Sequence, residues 1–276
     1  MFLRTDYHTH TPLCMHADGT PEQFVQQALA LGLHTYGIAD HAPMPIHTEP
    51  YDEWRMLYRQ LPQYFEWVER ARAAATGSAL NIQCGLECDW VPDITPHIEK
   101  LRSEHHFDYL IGSVHYLPTG GAVDDSIYAN KCLTGSVEED WNLYWSSVES
   151  LVKSGLFDIV GHIDIVKIWG RVPAGDLMRF YAPVLDALEA QHTAVEINTA
   201  GLHKHCAELY PSIPLLRELL KRHIPIVIDS DAHYPQHLSR GWDDAVAMLS
   251  TLTDNKLTQY KFATRSGSTL LAYGSL

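Results

Sequence analysis

The chain alternates short apolar runs with longer segments whose apolar positions recur at helical spacing. The predicted strands are 3–7, 35–39, 80–87, 109–114, 159–161, 194–198 and 226–229. The predicted helices lie near 21–31, 52–76, 93–104, 137–154, 174–191, 211–222 and 240–252. This strict alternation predicts an α/β fold with a parallel sheet that is either doubly wound or closed into a barrel.

Local signals support the first helix. Thr20 is a good N-cap, Pro21 suits the first helical position, and Gln23 completes a capping box. Apolar stripes on the predicted helices include three residues that we expect to be buried in the core, namely Leu29, Leu188 and Leu219.

The chain is predicted to form one domain. No linker rich in Pro, Gly and Ser divides its 276 residues, so the domain is 1–276. The segment 117–131 is predicted to be a loop over one face of the fold. No Gly-rich phosphate-binding loop follows any predicted strand, which argues against a nucleotide-binding fold of the Rossmann or P-loop type.

Composition narrows the class of protein. The hydrophobic share of 46% and the charged share of 20% are typical of a globular protein with an ample core. The net charge of −14 argues against nucleic acid or an anionic membrane as the main partner. No signal sequence or membrane-spanning run is evident, so we expect a cytoplasmic protein whose five cysteines are reduced and mostly core residues.

Histidine is the unusual component, with 17 residues, many of them beside Asp or Glu. These clusters fall at the C-terminal ends of the predicted strands, where parallel α/β folds bind ligands. In the first cluster His8 and His10 share a face because strand side chains alternate. The later clusters contain Asp40 and His41, Glu87 and Asp89, His115, His162 and Asp164, Glu196 and Asn198, and Asp231 and His233.

Imidazole and carboxylate together suit zinc, manganese or iron, whereas an all-oxygen set would suit magnesium or calcium better. The candidate ligands outnumber the coordination positions of a single ion. The sequence therefore predicts a centre of two or three divalent transition metals that share a carboxylate.

The order of these motifs resembles the polymerase-and-histidinol-phosphatase (PHP) family. The resemblance runs from Asp6 to about His233 through D-x-H-x-H, His16, "ADH", "GLE", "GSVH", "GHID" and "SDAH". The segments "GLECDW", "GSVHYL", "FDIVGHIDIVK" and "NTAGLHKHCAELYPS" are most similar to the stand-alone histidinol-phosphate phosphatases of that family. The resemblance implies a distorted (β/α)7 barrel.

The resemblance also implies how the metals are held. The implied ligands are His8, His10, Glu87 and Asp231 for the first ion, Glu87, His115 and His162 for the second, and His16, His41 and His233 for the third. Asp40, Asp164 and Glu196 would orient the imidazoles.

The implied reaction is hydrolysis of a small phosphomonoester, most specifically L-histidinol phosphate in histidine biosynthesis, by a hydroxide that bridges the metals. Candidate catalytic residues are Asp18, His203 and Lys204, and candidate substrate-binding residues are Lys167 and Arg171. Asp18 and Asp89 could also receive the ammonium group of the substrate. His203 departs from the resemblance, because an arginine is expected at this position and its guanidinium could clamp a phosphate.

Two other functions remain open from the sequence. A nucleotide phosphatase, phosphodiesterase or nuclease of the same family would use the same metal chemistry, although the acidic charge disfavours long nucleic acids. A metal-binding module without turnover is the other alternative. Release of phosphate from a panel of substrates in the presence of Mn²⁺, Zn²⁺ or Fe²⁺ distinguishes the three.

Overall fold

The secondary structure follows the predicted alternation along most of the chain. The computed structural model describes residues 2–45, 54–126, 133 and 135–275. The strands in these ranges are β1 (Thr5–Asp6), β2 (Thr35–Ile38), β3 (Asn81–Cys84), β4 (Glu87–Asp89), β5 (Ile111–Ser113), β6 (Ile159–Val160), β7 (Ala194–Asn198), β8 (Ile226–Asp229), β9 (Leu257–Ala263) and β10 (Thr269–Ser275). The α-helices are α1 (Pro21–Ala30), α2 (Leu61–Ala74), α3 (Thr95–Glu104), α4 (Val137–Lys153), α5 (Met178–Gln191), α6 (Ile213–Lys221) and α7 (Trp242–Leu252).

The strands form two sheets. One has the order β1-β2-β3, and the other has the order β4-β5-β6-β7-β8-β10-β9. Strands β1 to β3 pair in parallel, as do β4 to β8, whereas β10 pairs antiparallel with both β8 and β9. Isolated parallel bridges, Thr9 with Ala232 and His41 with Glu87, connect the two sheets. The predicted parallel α/β architecture is therefore confirmed, but a single closed barrel sheet is not.

The predicted third strand is two strands that belong to different sheets. It breaks at Gly85, whose N–H donates to the carbonyl of Ile38 at 2.7 Å. A Cβ at Gly85 would lie 2.6 Å from the ring of Tyr109, so only glycine allows this close approach. The break lets the chain leave the first sheet and begin the second at Glu87.

The ends of the helices show which local signals were informative. Thr20 caps α1, and its capping box with Gln23 is formed as predicted. The helix predicted near 52–76 begins later, at Leu61, after a short 3₁₀ turn at Tyr58–Gln60. Residues 52 and 53 of that prediction, and residues 127–131 of the predicted loop, lie outside the described residues.

The core confirms two of the three expected leucines. Leu188 and Leu219 are fully buried, but Leu29 is 44% exposed, so its prediction as a core residue is wrong. Leu29 lies on α1 beyond the buried stripe of Phe24, Val25 and Ala28, on the side that faces solvent.

This difference gives a matched pair of leucine variants. Leu188→Ala is expected to lower the free energy of unfolding by about 2–5 kcal/mol, because it leaves a cavity in the core. Leu29→Ala should change it by less than roughly 0.5 kcal/mol, as surface substitutions usually do. Urea denaturation measures both values, and equal losses for the two variants would contradict the assignment of the core.

Two sequence expectations concern the environment of the protein. None of the helices in the described ranges is long and apolar enough to cross a membrane. Cys14, Cys84, Cys88 and Cys206 are free thiols, and Cys132 lies outside the described residues. The cytoplasmic location stays a prediction.

Candidate metal centre

The predicted ligands come together because they lie at or just beyond the C-terminal ends of parallel strands, or at the junction between the two sheets. His8 and His10 follow β1, and the backbone there is fixed by the bridge to Ala232. The N–H of His10 donates to the carbonyl of Ala232 at 2.9 Å, and the N–H of Ala232 donates to the carbonyl of His8 at 3.2 Å. These bonds hold the two histidines beside Asp231, which follows β8.

Glu87 lies at the centre of the cluster and is 1% exposed. Its Oε1 atom is 3.0 Å from Nε2 of His162 and 3.7 Å from Nε2 of His115. Its Oε2 atom is 2.8 Å from Nδ1 of His41 and 3.3 Å from Nε2 of His8. Each carboxylate oxygen thus faces a different pair of imidazoles, which is the arrangement that a bridging carboxylate requires.

The ligand atoms fall into compact groups. In each of three triads, one ligand atom per residue lies within 4.8 Å of the others: His8, His10 and Glu87; Glu87, His115 and His162; and His16, His41 and His233. Asp231 adjoins the first triad, with its Oδ1 atom 3.0 Å from Nε2 of His10. The structure therefore brings together all the ligands that the family resemblance implied.

Carboxylates behind the imidazoles fix how the rings are turned. Nδ1 of His8 lies 2.6 Å from Glu196, and Nδ1 of His115 lies 2.6 Å from Asp89. A ring that donates its Nδ1–H to a carboxylate presents the lone pair of Nε2 to the centre and becomes a stronger ligand. Glu196 takes this position as expected, whereas Asp164 instead pairs with Lys167 and accepts from the backbone of Ser212.

Several polar atoms in the cluster are placed to bind a metal ion rather than to form hydrogen bonds with one another. Nε2 of His8, Nδ1 of His41 and Oε2 of Glu87 are buried and lie close together, but their geometry gives none of them a hydrogen bond with any described residue. Buried polar atoms are rarely left in this state without an ion or water to bind.

The outer histidines point to the same conclusion. Nε2 of His16 and Nε2 of His233 face each other at 2.9 Å. Nδ1 of His16 is bound to the carbonyl of Cys14 and Nδ1 of His233 to that of Asp231, so both Nδ1 atoms carry the proton. Two neutral imidazoles then direct lone pairs at one another, and a cation between them would relieve the repulsion.

The pKa shifts of the histidines differ between an inner part of the cluster, which includes His10, and an outer part, which includes His16 and His233. Burial opposes charge on His10, but hydrogen bonds to Asp231 and Asp40 raise its pKa to about 9. Burial and the neighbouring His41 and His10 lower the pKa of His16 to about 4, and burial holds the pKa of His233 well below its usual range. The outer imidazoles are thus neutral near pH 7, which is the state that binds metal.

A cavity of about 570 Å³ opens onto the cluster. The catalytic candidates His203 and Lys204 line this cavity, whereas Asp18 lines a neighbouring cavity beside Tyr234. Other cavity-lining residues, which the sequence did not single out, are Trp54, Arg55, Tyr116, Asp124, Asp125, Tyr210, His237 and Arg240.

The two predicted substrate-binding cations are held elsewhere. Lys167 is buried, and its Nζ atom lies 3.0 Å from Asp164 and 3.1 Å from Glu208. Arg171 lies 2.9 Å from Asp140 and donates to the carbonyl of Leu133 at 2.7 Å. Neither cation is on the cavity wall, because each is neutralised within the fold, and contact of either with substrate stays a prediction.

Two further residues change the interpretation of the sequence. Asp89 cannot be a free acceptor for an ammonium group, because it pairs with the buried Arg55 at 2.6 Å and with His115. Cys14, expected to be core filler, has its sulfur within 4.8 Å of ligand nitrogens of His10 and His233. Its position between His10 and His16 in "HTHTPLCMH" was the available signal.

Comparisons with known proteins agree with this geometry. The sequence model of the PHP domain matches residues 6–200. A Deinococcus radiodurans protein named "Probable histidinol-phosphatase" is 38% identical over 257 residues, which cover 92% of this chain and 95% of that protein. The histidinol-phosphatase of Bacillus subtilis is 28% identical over 251 residues, covering 83% of this chain and 93% of that protein.

The fold is also similar to a solved structure. The crystal structure of histidinol phosphate phosphatase from Lactococcus lactis, complexed with zinc, L-histidinol and phosphate, has a TM-score of 0.76. It is 22% identical, and the match covers 97% of this chain and 98% of that one. The match of the family model to most of the chain, together with the close Deinococcus relative, shows that the chain belongs to the PHP-domain family.

Proposed function

We propose that this protein is a metal-dependent phosphomonoesterase that hydrolyses L-histidinol phosphate to L-histidinol and phosphate. The observation that carries the proposal is the cluster around Glu87, where each carboxylate oxygen faces imidazoles of different groups. The names of the Deinococcus and Bacillus relatives support the substrate, as does the histidinol and phosphate bound by the Lactococcus protein.

We also propose that two or three divalent ions occupy the centre, with zinc, manganese and iron as candidates. Nitrogen and carboxylate donors suit these metals, and zinc is present in the Lactococcus complex. The parallel strands would then enclose the centre as a distorted (β/α)7 barrel, in which the bridges at Thr9 and His41 replace continuous ladders.

Different residues around the cavity would have different roles in the reaction. Bound divalent ions supply charge stabilisation for the phosphoryl oxygens and activation of water. Glu87 and the histidines grouped with it would hold these ions. Glu196 and Asp89 keep the rings of His8 and His115 in one orientation. Such fixed geometry lowers the barrier because little has to reorganise during the reaction.

Other residues that line or adjoin the cavity could position the part of the substrate that carries the ammonium group. Asp124 lines the same cavity and provides a carboxylate that could receive an ammonium group. Asp18 is exposed beside the centre, and its N–H donates to the carbonyl of His233 at 2.9 Å. We propose that Asp18 takes part in proton transfer or binds the ammonium group of the substrate, because its backbone is held beside His233.

A comparison of substrates tests the proposed function. We expect kcat/KM for L-histidinol phosphate to exceed that for nucleoside monophosphates by at least about tenfold, equivalent to about 1.4 kcal/mol of discrimination. Phosphate release by metal-loaded protein is measured for both substrates, with single-stranded DNA as a third. A preference for a nucleotide or for DNA would contradict the proposed substrate, and no turnover of any ester would favour a metal-binding module.

A further inference from the structure

The turn at Ser239, Arg240 and Gly241 is fixed tightly beside the candidate metal centre. The N–H of Ser239 donates to Asp6 at 2.7 Å, and the carbonyl of Arg240 accepts from the hydroxyl of Thr199 at 2.5 Å. Ser239 has a φ of 56° and Gly241 a φ of 79°, a left-handed conformation that is costly for a serine. Strain of this kind persists only where the surrounding structure enforces it, and it is frequent at functional sites.

This turn presents an arginine to the cavity without a partner for its charge. Arg240 lines the same cavity as Asp231 and His233. Across residues 2–45, 54–126, 133 and 135–275, its guanidinium forms no hydrogen bond or ion pair. By contrast, the cavity residue Arg55 is bound to Asp89 at 2.6 Å. The charge of Arg240 interacts with the nearby Asp231 but forms no direct ion pair with it, so this half-buried guanidinium can still donate to an external anion.

Because position 203 is a histidine, a guanidinium that binds the phosphate would have to come from another position. His203 lines the same cavity, but burial and the nearby charge of Arg240 lower its pKa. Its imidazole is therefore neutral at pH 7 and offers at most one ring N–H donor, rather than the fork of a guanidinium. His203, His237 and Arg240 line one cavity, and the charge of Arg240 helps to lower the pKa of both histidines.

We propose that Arg240 binds the phosphoryl group of the substrate and supplies the guanidinium that position 203 lacks. The two donors of the guanidinium fork match two non-bridging phosphoryl oxygens, and such charge-assisted pairs are among the strongest hydrogen bonds. Asp124, a carboxylate that lines the same cavity, can receive the cationic end of the ligand. This inference rests on the proposed function for the substrate, but the binding of a phosphate anion can be measured without turnover.

The first test compares Arg240→Gln with Arg222→Gln. Arg222 is a matched control, because it pairs with Asp186 and Glu189 on the surface and does not line the cavity. We expect Arg240→Gln to weaken binding of inorganic phosphate to the metal-loaded protein by about ten- to a hundredfold, as measured by calorimetry. Inhibition by L-histidinol, which has no phosphate, should change by less than about threefold, and metal content should stay the same.

The second test asks whether positions 203 and 240 serve the same anion. His203→Arg should restore phosphate binding in the Arg240→Gln background by about tenfold, and should improve it much less in the wild type, because residues that share a ligand are not additive. Equal effects in both backgrounds, or unchanged phosphate binding in Arg240→Gln, would overturn the proposal. If phosphate binding depends on Arg240 but histidinol phosphate is not hydrolysed, the anion site is supported and the proposed substrate is wrong.

Discussion

Replacing Glu87 with alanine is expected to abolish metal binding and turnover together. The two oxygens of Glu87 face at least four imidazoles, those of His8, His41, His115 and His162. Its loss removes a ligand from two ions and leaves the buried histidines to repel one another. We therefore expect kcat to fall by more than the roughly 10- to 100-fold that is typical of a residue which only supports a ligand.

Two variants distinguish a loss of metal bridging by Glu87 from a general effect of changing a buried carboxylate. Glu87→Gln keeps the size of the side chain but removes its charge, so it should fold like the wild type and still lose metal. Glu196→Gln weakens only the support of His8, whose Nδ1 atom lies 2.6 Å from Glu196, and should cost about 10- to 100-fold in metal affinity or activity. A Glu87→Gln protein that keeps its full metal content and near wild-type turnover would show that Glu87 is not a bridging ligand.

Removing the metals from the wild type is expected to lower its stability as well as its activity. The buried Nε2 of His8 and Oε2 of Glu87 lack hydrogen-bond partners, so the metal-free fold carries the cost of their burial. Free metal at a thousand times its Kd adds about 4.1 kcal/mol of stability for one site. For a chain of this size, that corresponds to a fall in Tm of roughly 10 °C after chelation.

Differential scanning calorimetry of chelated and reloaded protein measures this effect. Leu188→Ala serves as a control, because its lower stability should respond to added metal by the same amount as the wild type. Identical Tm values for the chelated and reloaded wild type would show that the cluster contributes no metal-dependent stability. Activity should return in parallel with Tm as metal is added back.

The rim of the site could be predicted because it obeys local rules. Side chains two residues apart on a strand share a face, so His8 and His10 could be paired from spacing alone. Parallel strands end at a common edge, so His162 and Asp231 could be expected together although they are far apart in sequence. The start of α1 followed in the same way from Thr20 and Gln23.

Other features depend on contacts that the order of residues does not reveal. The break at Gly85 is set by the ring of Tyr109, which packs against it from the segment that precedes β5. The hairpin of β9 and β10 follows the last predicted helix and completes the second sheet by antiparallel pairing with β8. Arg240 and Lys204 line the cavity, whereas Lys167 pairs with Asp164 and Glu208 inside the fold.

The most direct test of the account is the location of metal in crystals of metal-loaded protein. Anomalous diffraction at the absorption edge of the loaded metal should give two or three peaks, each within about 2.0–2.3 Å of its ligand atoms, with both oxygens of Glu87 engaged. The peaks should coincide with the triads around His10, His162 and His233. Fewer than two peaks at full occupancy, or peaks away from Glu87, would contradict the multinuclear centre.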